Sequence, residues 1–192
     1  MRIPLTAMAA TAIAATLVGV SGCGSDSKTA TPSSGFSTTP HPAINDYTTL
    51  LIKASDIKAP DPFIAGPATK DPNGQQGATI TFADQDHSHA IIDTIQILPD
   101  IEAAASALDS AKATHRETLL AKSLNAEVGV GGSTISGLSP DHSKGVTVLV
   151  FTEGKAMVTL EFDGPSFALA PPEFVTEVGQ KQDDAVKKGL GG

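Results

Sequence analysis

Two stretches of the chain alternate apolar and polar residues with a period of two, as half-buried β-strands do. In GATITFAD, Ala78, Ile80 and Phe82 alternate with two threonines. AIIDTIQIL, residues 90–98, is rich in β-branched residues and follows the short polar connection QDHSH. The two runs therefore predict a β-hairpin.

The pattern then changes to apolar positions three and four residues apart, which indicates an amphipathic helix. Asp100 follows Pro99 and is suited to cap this helix, and Glu102 lies in the first turn, where the helix dipole favours an acid. The predicted inward stripe consists of Ile101, Ala105, Leu108, Lys112, His115 and Leu119.

The second half repeats this order of elements. AEVGVGG predicts a strand that enters a glycine turn, and GVTVLVFTEGKAMVTLEFDG predicts two strands joined at Glu153 and Gly154. PPEFVTEVGQKQDDAVKKGL predicts a closing helix with Phe174, Val178 and Ala185 on one face and an end near Gly189.

Before the first hairpin the pattern is weaker. INDYTTLLIKASDI predicts a short helix capped by Asn45, with a turn at Ser55. The four prolines of APDPFIAGPATKDPNGQQ exclude a regular helix and predict an irregular loop held by Phe63 and Ile64. Residues 44–192 therefore predict one α+β domain, an antiparallel sheet packed against two main helices in the order α-ββα-ββα.

Residues 1–22 have a different character. Arg2 precedes an apolar run that no basic cluster follows, which is the pattern of an export signal, and a permanent membrane helix is the alternative. The run ends in Val20, Ser21, Gly22 and Cys23, a sequence that resembles the lipobox of bacterial lipoproteins. The resemblance implies cleavage before Cys23, a diacylglycerol thioether on its sulfur and an acyl chain such as palmitate on its amine. A free cysteine after an ordinary signal peptide is the other alternative.

Residues 23–43 are rich in Ser, Thr and Pro and contain too few apolar residues to form a core. We expect them to form a lipidated tether, whose composition also resembles the O-glycosylated stalks of actinobacterial envelope proteins. At least two acyl chains give stable membrane attachment, so the expected localisation is the extracytoplasmic face of the cell membrane.

Charge narrows the possible partners. The chain has 13 basic and 21 acidic residues and a formal net charge of −8, which argues against nucleic acid and against electrostatic docking on anionic lipids. The membrane is then contacted through Cys23. Because this is the only cysteine, no intramolecular disulfide can form.

The order of a TTLLIKASDI helix, a strand pair, an Ala-rich helix, a VGVGG turn and a strand pair around EGK resembles small envelope lipoproteins of mycobacteria. It is also similar to the extracellular sensor domain of a mycobacterial receptor-type kinase. The resemblance implies a sensor-like domain and transfers no functional residue, and the lack of cysteines in this domain departs from a disulfide-framed cleft.

Metal-binding residue types are densest in DQDHSH, where His87 and His89 are two residues apart. A polar hairpin turn is the simpler interpretation, and an enzyme that uses Asp86, His87 and His89 is the weaker one. His115 lies on the apolar stripe of its helix and is interpreted as a half-buried structural histidine, and His41 and His142 as solvated loop residues.

GVGGSTISG, residues 129–137, lacks the lysine of a phosphate loop and the spacing of a nucleophile elbow, so it predicts a turn. Asp183 and Asp184 are adjacent on a helix and point apart, unlike a glycosidase pair. The sequence therefore predicts no enzyme, no catalytic residue, no metal site and no cofactor. It predicts a binding or sensor-like accessory domain for an envelope protein or small ligand, and alternatively a carrier with an apolar lipid in a sheet–helix cavity above about 300 Å³.

Overall fold

An eight-stranded antiparallel sheet organises residues 46–191, the part of the chain that this computed structural model describes. The spatial order of the strands is β1-β3-β4-β8-β7-β6-β5, and β2 also pairs with β3. The predicted α+β class, with two main helices on one antiparallel sheet, is confirmed. The elements are β1 (Ile64–Ala65), β2 (Thr69–Lys70), β3 (Gly77–Ala83), β4 (Ala90–Ile97), α1 (Ile101–Thr118), β5 (Ser123–Asn125), β6 (Val130–Leu138), β7 (Lys144–Glu153), β8 (Ala156–Pro165) and α2 (Pro172–Leu190).

Both predicted hairpins form. β3 pairs with β4 so that Phe82 lies opposite Ile91, and β7 pairs with β8 around a turn at Gly154 and Lys155. Gly154 has a φ of 55°, a left-handed value that favours glycine. The predicted alternation in β8 is also observed, because Ala156, Val158, Leu160 and Phe162 are all buried.

The helices cover opposite faces of the sheet, and the interior strand β7 is therefore buried on both sides. Its even-numbered valines, such as Val148, pack with Leu108 and Leu119 on the α1 side. Leu149 and Phe151 point the other way and join the larger core beneath α2. This arrangement explains the continuous apolar run in β7, which an alternating strand would not have.

Helix α1 begins where the sequence predicts, since the Asp100 carboxylate accepts a hydrogen bond from the Ala103 N–H at 2.8 Å. Its inward stripe is only partly as predicted. Leu108 and Leu119 are buried, but Ile101 is 64% exposed and Ala105 is also exposed. Ala104 is buried in their place, because its small side chain lets the first turn approach the sheet closely.

Helix α2 buries Val175, Val178 and Val186, with Phe174 and Ala185 partly buried beside them. The helix runs past Gly189 and ends at Leu190, where Gly191 adopts the left-handed conformation of a C-cap (φ 77°).

The segment before the sheet differs from its prediction. Instead of an α-helix it forms two short 3₁₀-helices, Tyr47–Leu50 and Ala54–Asp56. Asp46 caps the first one by accepting a hydrogen bond from Thr48 N–H, and the predicted cap Asn45 lies outside the described residues. These two 3₁₀-helices are sufficient to bury the apolar side chains of the segment, because Leu50, Leu51 and Ile52 pack against other elements.

The proline-rich segment is more regular than the predicted loop, because β1 and β2 both pair with the outer edge of β3. Phe63 packs against the core as expected, but Ile64 is 62% exposed, so its predicted role in holding the loop is wrong.

The glycine-rich stretch 129–137 is a turn only at Gly129, which ends the turn at residues 127–129. The rest of the stretch forms most of β6, with a bulge between Val130 and Ser133. The predicted strand in AEVGVGG is thus displaced, with β5 before the turn and β6 after it. A Cβ at Gly132 would meet the carbonyl oxygens of Ala126 and Val128, so this glycine permits a close backbone approach.

The predicted signal peptide (1–22), the lipobox Val20–Cys23 and the tether (23–43) lie outside the described residues. Within residues 46–191, neither α-helix combines the length and apolar character that crossing a membrane requires.

Candidate functional site

A cleft lies at the end of the sheet where the β3–β4 turn approaches the beginning of α2. It consists of an inner groove of about 250 Å³ and an outer groove of about 520 Å³. The two grooves share Phe63, His89, Pro171 and Phe174, so they form one continuous depression, hereafter the His89 cleft.

Asp84 directly follows β3 and organises the turn that carries His89. Its carboxylate accepts hydrogen bonds from the main-chain N–H of His89 at 3.1 Å and from the Ser88 hydroxyl at 3.0 Å. It also lies 2.8 Å from His89 Nδ1. Although burial opposes ionisation, the hydrogen bonds from His89 and Ser88 prevail and lower the pKa of Asp84 to about 2. Asp84 is therefore a carboxylate that fixes the imidazole.

The imidazole of His89 is half exposed and lies over Gly164 of β8. A Cβ at Gly164 would approach His89 Cδ2 to 3.2 Å, so the glycine makes room for the ring. With Nδ1 held by the Asp84 carboxylate, Nδ1 carries the proton and Nε2 is available to a ligand in the cleft.

Three phenylalanines form the apolar wall. The rings of Phe63 and Phe174 stack with centroids 6.5 Å apart, and Phe162 meets Phe174 edge-on at 5.8 Å. Such pairs favour fixed ring positions, so the wall is preorganised. The segment between β8 and α2 closes the inner groove, and it exposes Leu169 (49%) and Phe167 (90%) next to the cleft.

The outer groove has a charged rim. Lys58 Nζ lies 3.2 Å from Glu177 Oε1, and Asp61 and Glu173 line the same groove. The cleft therefore changes from apolar at its inner end to charged at its outer end, with His89 at the boundary.

The structure does not bring the predicted metal-binding residues together. His87 has a φ of 59° in the turn, and Asp86 accepts a hydrogen bond from Ser88 N–H. Across residues 46–191, no three His, Cys, Asp or Glu side chains are grouped so as to hold a metal ion.

The remaining candidate residues occupy structural positions. His115 is half buried on α1, where burial lowers its pKa, and His142 lies exposed in the β6–β7 turn. Asp183 is buried and bonded to Lys187, whereas Asp184 is exposed, so the two carboxylates point apart as predicted. His41 lies outside the described residues.

Sequence reasoning placed Asp84 and His89 in a polar turn, which is correct, but it missed their mutual contact. An Asp and a His at the two ends of a tight hairpin connection was the available signal. The contribution of Phe162 and Phe174 had no sequence signal, because these residues are distant in the chain and meet only through the packing of α2.

The antiparallel sheet, in the strand order given above, and its two long helices define an α+β fold. A solved structure with a similar fold is the extracellular domain of PknH from Mycobacterium tuberculosis, with a TM-score of 0.53 and 11% sequence identity over 74% of this chain and 95% of that chain. At this identity the similarity concerns the fold alone, and at that level it agrees with the predicted resemblance to an extracellular domain of a mycobacterial protein. No family model matches the chain. No curated protein matches it in sequence.

Proposed function

We propose that this chain is a lipid-anchored lipoprotein of a bacterial cell envelope, attached through Cys23 to the extracytoplasmic face of the membrane. Its domain binds a ligand in the His89 cleft without transforming it. The observation that carries the binding proposal is the continuous cleft with an oriented imidazole between an apolar and a charged half.

The composition of the cleft supports binding over catalysis. The Asp84–His89 pair resembles the base and orienter of a hydrolase, but that chemistry also needs a nucleophile within reach. Among the described residues that line the two grooves, none carries a hydroxyl or thiol, and Lys58 is paired with Glu177. The Ser88 hydroxyl lies 2.9 Å from His89 Nδ1, but it donates to Asp84 and lines neither groove. His89 is then suited to exchange a hydrogen bond with a ligand.

The location of the domain is inferred from the sequence and the fold together. The lipobox-like Val20–Cys23 supplies the proposed attachment, and the fold is shared with an extracellular domain. The described domain contains no cysteine, so its core and hydrogen bonds hold it without disulfides.

A carrier of an apolar lipid is the second candidate. The inner groove favours it, since Ile91 and Phe162 of the sheet and Phe174 of α2 form apolar walls between sheet and helix. Its volume of about 250 Å³ is below the size at which small-molecule pockets commonly start, about 300 Å³. It therefore accommodates a short apolar group more readily than a complete lipid.

Native mass spectrometry of the full chain, purified from its own membrane, tests both candidates. We expect a ligand mass that co-purifies with the wild type and is lost in Phe174→Ala, because this change removes the ring that contacts both other phenylalanines. Thr81→Ala is the control, since Thr81 is exposed and outside the cleft.

An amphiphile of low mass would support ligand binding, and a diacyl lipid would support the carrier. Retention of the same ligand by a folded Phe174→Ala variant would contradict the assignment of the cleft.

A further inference from the structure

A second groove, of about 460 Å³, lies between the first turn of α2 and the sheet edge formed by β5 and β6. It is distinct from the His89 cleft, with which it shares only Ala170. Its lining consists of Leu124, Asn125, Ala126, Glu127, Thr134, Ser136, Thr147, Ala170, Pro172, Val175 and Thr176. It is called the Thr147 groove below.

The strand register places a set of hydroxyl groups on the floor of this groove. Ser136 of β6 lies directly opposite Thr147 of β7, and Thr134 lies two residues away on the same face of the sheet. Thr176 of α2 adds a fourth hydroxyl, which donates to the Pro172 carbonyl and keeps its lone pairs available. Four hydroxyls from three elements thus line one depression.

Thr147 supplies independent evidence that the groove is built for a polar ligand. Its side chain is almost fully buried, with 3% of the residue exposed, and its Oγ1 has no hydrogen-bond partner. Buried hydroxyls in folded proteins are nearly always paired, so an unpaired one beside a groove needs a reason. A ligand that reaches Oγ1 would provide the missing partner.

The charges around the groove restrict the ligand. No Lys, Arg or His lines it, whereas Glu127 does, and Glu173 lies in the neighbouring first turn of α2. An anion is therefore disfavoured. A long alkyl chain is disfavoured too, because it would cover hydroxyls without pairing them.

We propose that the Thr147 groove binds a saccharide. A sugar ring presents hydroxyls that both donate and accept, which matches the threonine and serine hydroxyls, the Asn125 amide and the Glu127 carboxylate. Its C–H surfaces match Leu124 and Val175, which line the same groove. This site is additional to the proposed ligand site at His89 and does not depend on it.

Saturation-transfer difference NMR on the full chain in detergent tests this proposal with maltose, cellobiose, trehalose and lactose as probes. We expect saturable binding of at least one disaccharide. In Thr147→Val the affinity should fall about five- to tenfold, the usual effect of losing one buried hydrogen bond. Thr159→Val is the matched control, because Thr159 belongs to the neighbouring strand β8 but faces the opposite side of the sheet.

Thr147→Val retains the shape of the side chain and removes an unpaired hydroxyl, so we expect its melting temperature to equal or exceed that of the wild type. Ser136→Ala, at an exposed position of the same groove, should weaken binding without changing the melting temperature.

Absence of binding by all four disaccharides would overturn the proposal, and so would an unchanged affinity in Thr147→Val. Phe174→Ala should leave saccharide affinity intact, so failure at one groove is distinguishable from failure at the other.

Discussion

The carboxyl group of Asp93 is enclosed in the apolar core on the α2 side of the sheet. The residue is 0% exposed, it lies between Ile80 of β3 and Leu160 of β8, and neither carboxyl oxygen has a hydrogen-bond partner. Burial raises the pKa of Asp93 to about 8, and the nearby Ile52 N–H opposes this only in part. The folded protein therefore holds Asp93 protonated at neutral pH.

Asp93 should make stability depend on pH. The unfolded chain releases this proton near pH 4 and the folded chain near pH 8, so the unfolding free energy falls by about 1.4 kcal/mol per pH unit between these values. The contribution of protonated Asp93 to the unfolding free energy is complete below about pH 4 and lost above about pH 8.

We expect Asp93→Asn to remove this dependence and to be more stable than the wild type at pH 8. Urea unfolding of both proteins from pH 4 to pH 9 measures the difference. The difference isolates Asp93, because the other titrating groups, such as Asp84, are shared by both proteins. Parallel stability curves for the two proteins would show that Asp93 is not buried as described.

At the scale of elements, the 3₁₀ segment 47–56 depends on one side chain of α2. Gln182 is fully buried, accepts a hydrogen bond from Ile52 N–H at 2.9 Å and donates one to the Leu50 carbonyl at 2.9 Å. It thus substitutes for the main-chain partners that a strand or longer helix would have provided. The sequence predicted an α-helix here because the apolar spacing of Tyr47, Leu50 and Leu51 fits one, and it contained no sign of a partner 130 residues away.

Gln182→Leu should destabilise the domain by about 2 to 4 kcal/mol, since it leaves a buried N–H and a buried carbonyl without partners. Chemical denaturation measures this, and Gln180→Leu is the control at an exposed position of the same helix. Hydrogen exchange at Ile52 should accelerate in Gln182→Leu alone. Equal stability of the two variants would contradict the assigned role of Gln182.

For the whole molecule, the sequence predicted what depends on local periodicity. Both hairpins, both long helices and their order follow from patterns within about 20 residues, and the structure has all of them. The predictions that were wrong concern features that depend on tertiary contacts. Gly132 lies in a strand whose neighbouring carbonyl oxygens approach closely enough to require glycine, and Ile101 is exposed while Ala104 is buried in its place.

The candidate site was predictable only in part for the same reason. The Asp84–His89 turn is local, and its polarity was recognised. The aromatic wall joins residues 63, 162 and 174, and the Thr147 groove joins β5, β6, β7 and α2. The spacing of residues along the sequence does not indicate contacts between such distant positions.

The proposed attachment of the whole molecule to the membrane through Cys23 can be tested by substitution. Cys23→Ser should transfer nearly all of the chain from the washed membrane fraction to the soluble fraction, because no lipid can then be added to residue 23. Ser25→Ala, next to the lipobox, is the control and should stay with the membrane. Intact mass should show a lipid adduct on the wild type.

An unmodified sulfur in the wild type would contradict lipidation. A Cys23→Ser chain that stays attached with residues 1–22 still present would favour the alternative of a membrane helix.

The strands at both edges of the sheet are short, and their length affects aggregation if many copies are attached to one membrane. β5 has three residues, and β1 and β2 have two each, separated by a segment that contains Pro67. Molecules confined to a surface meet far more often than molecules in solution, and long open strand margins would then join copies into fibrils. Edge strands this short present too few unpaired main-chain N–H and C=O groups to pair with the sheet of another copy. Crowding on the membrane therefore does not by itself cause aggregation through the sheet edges.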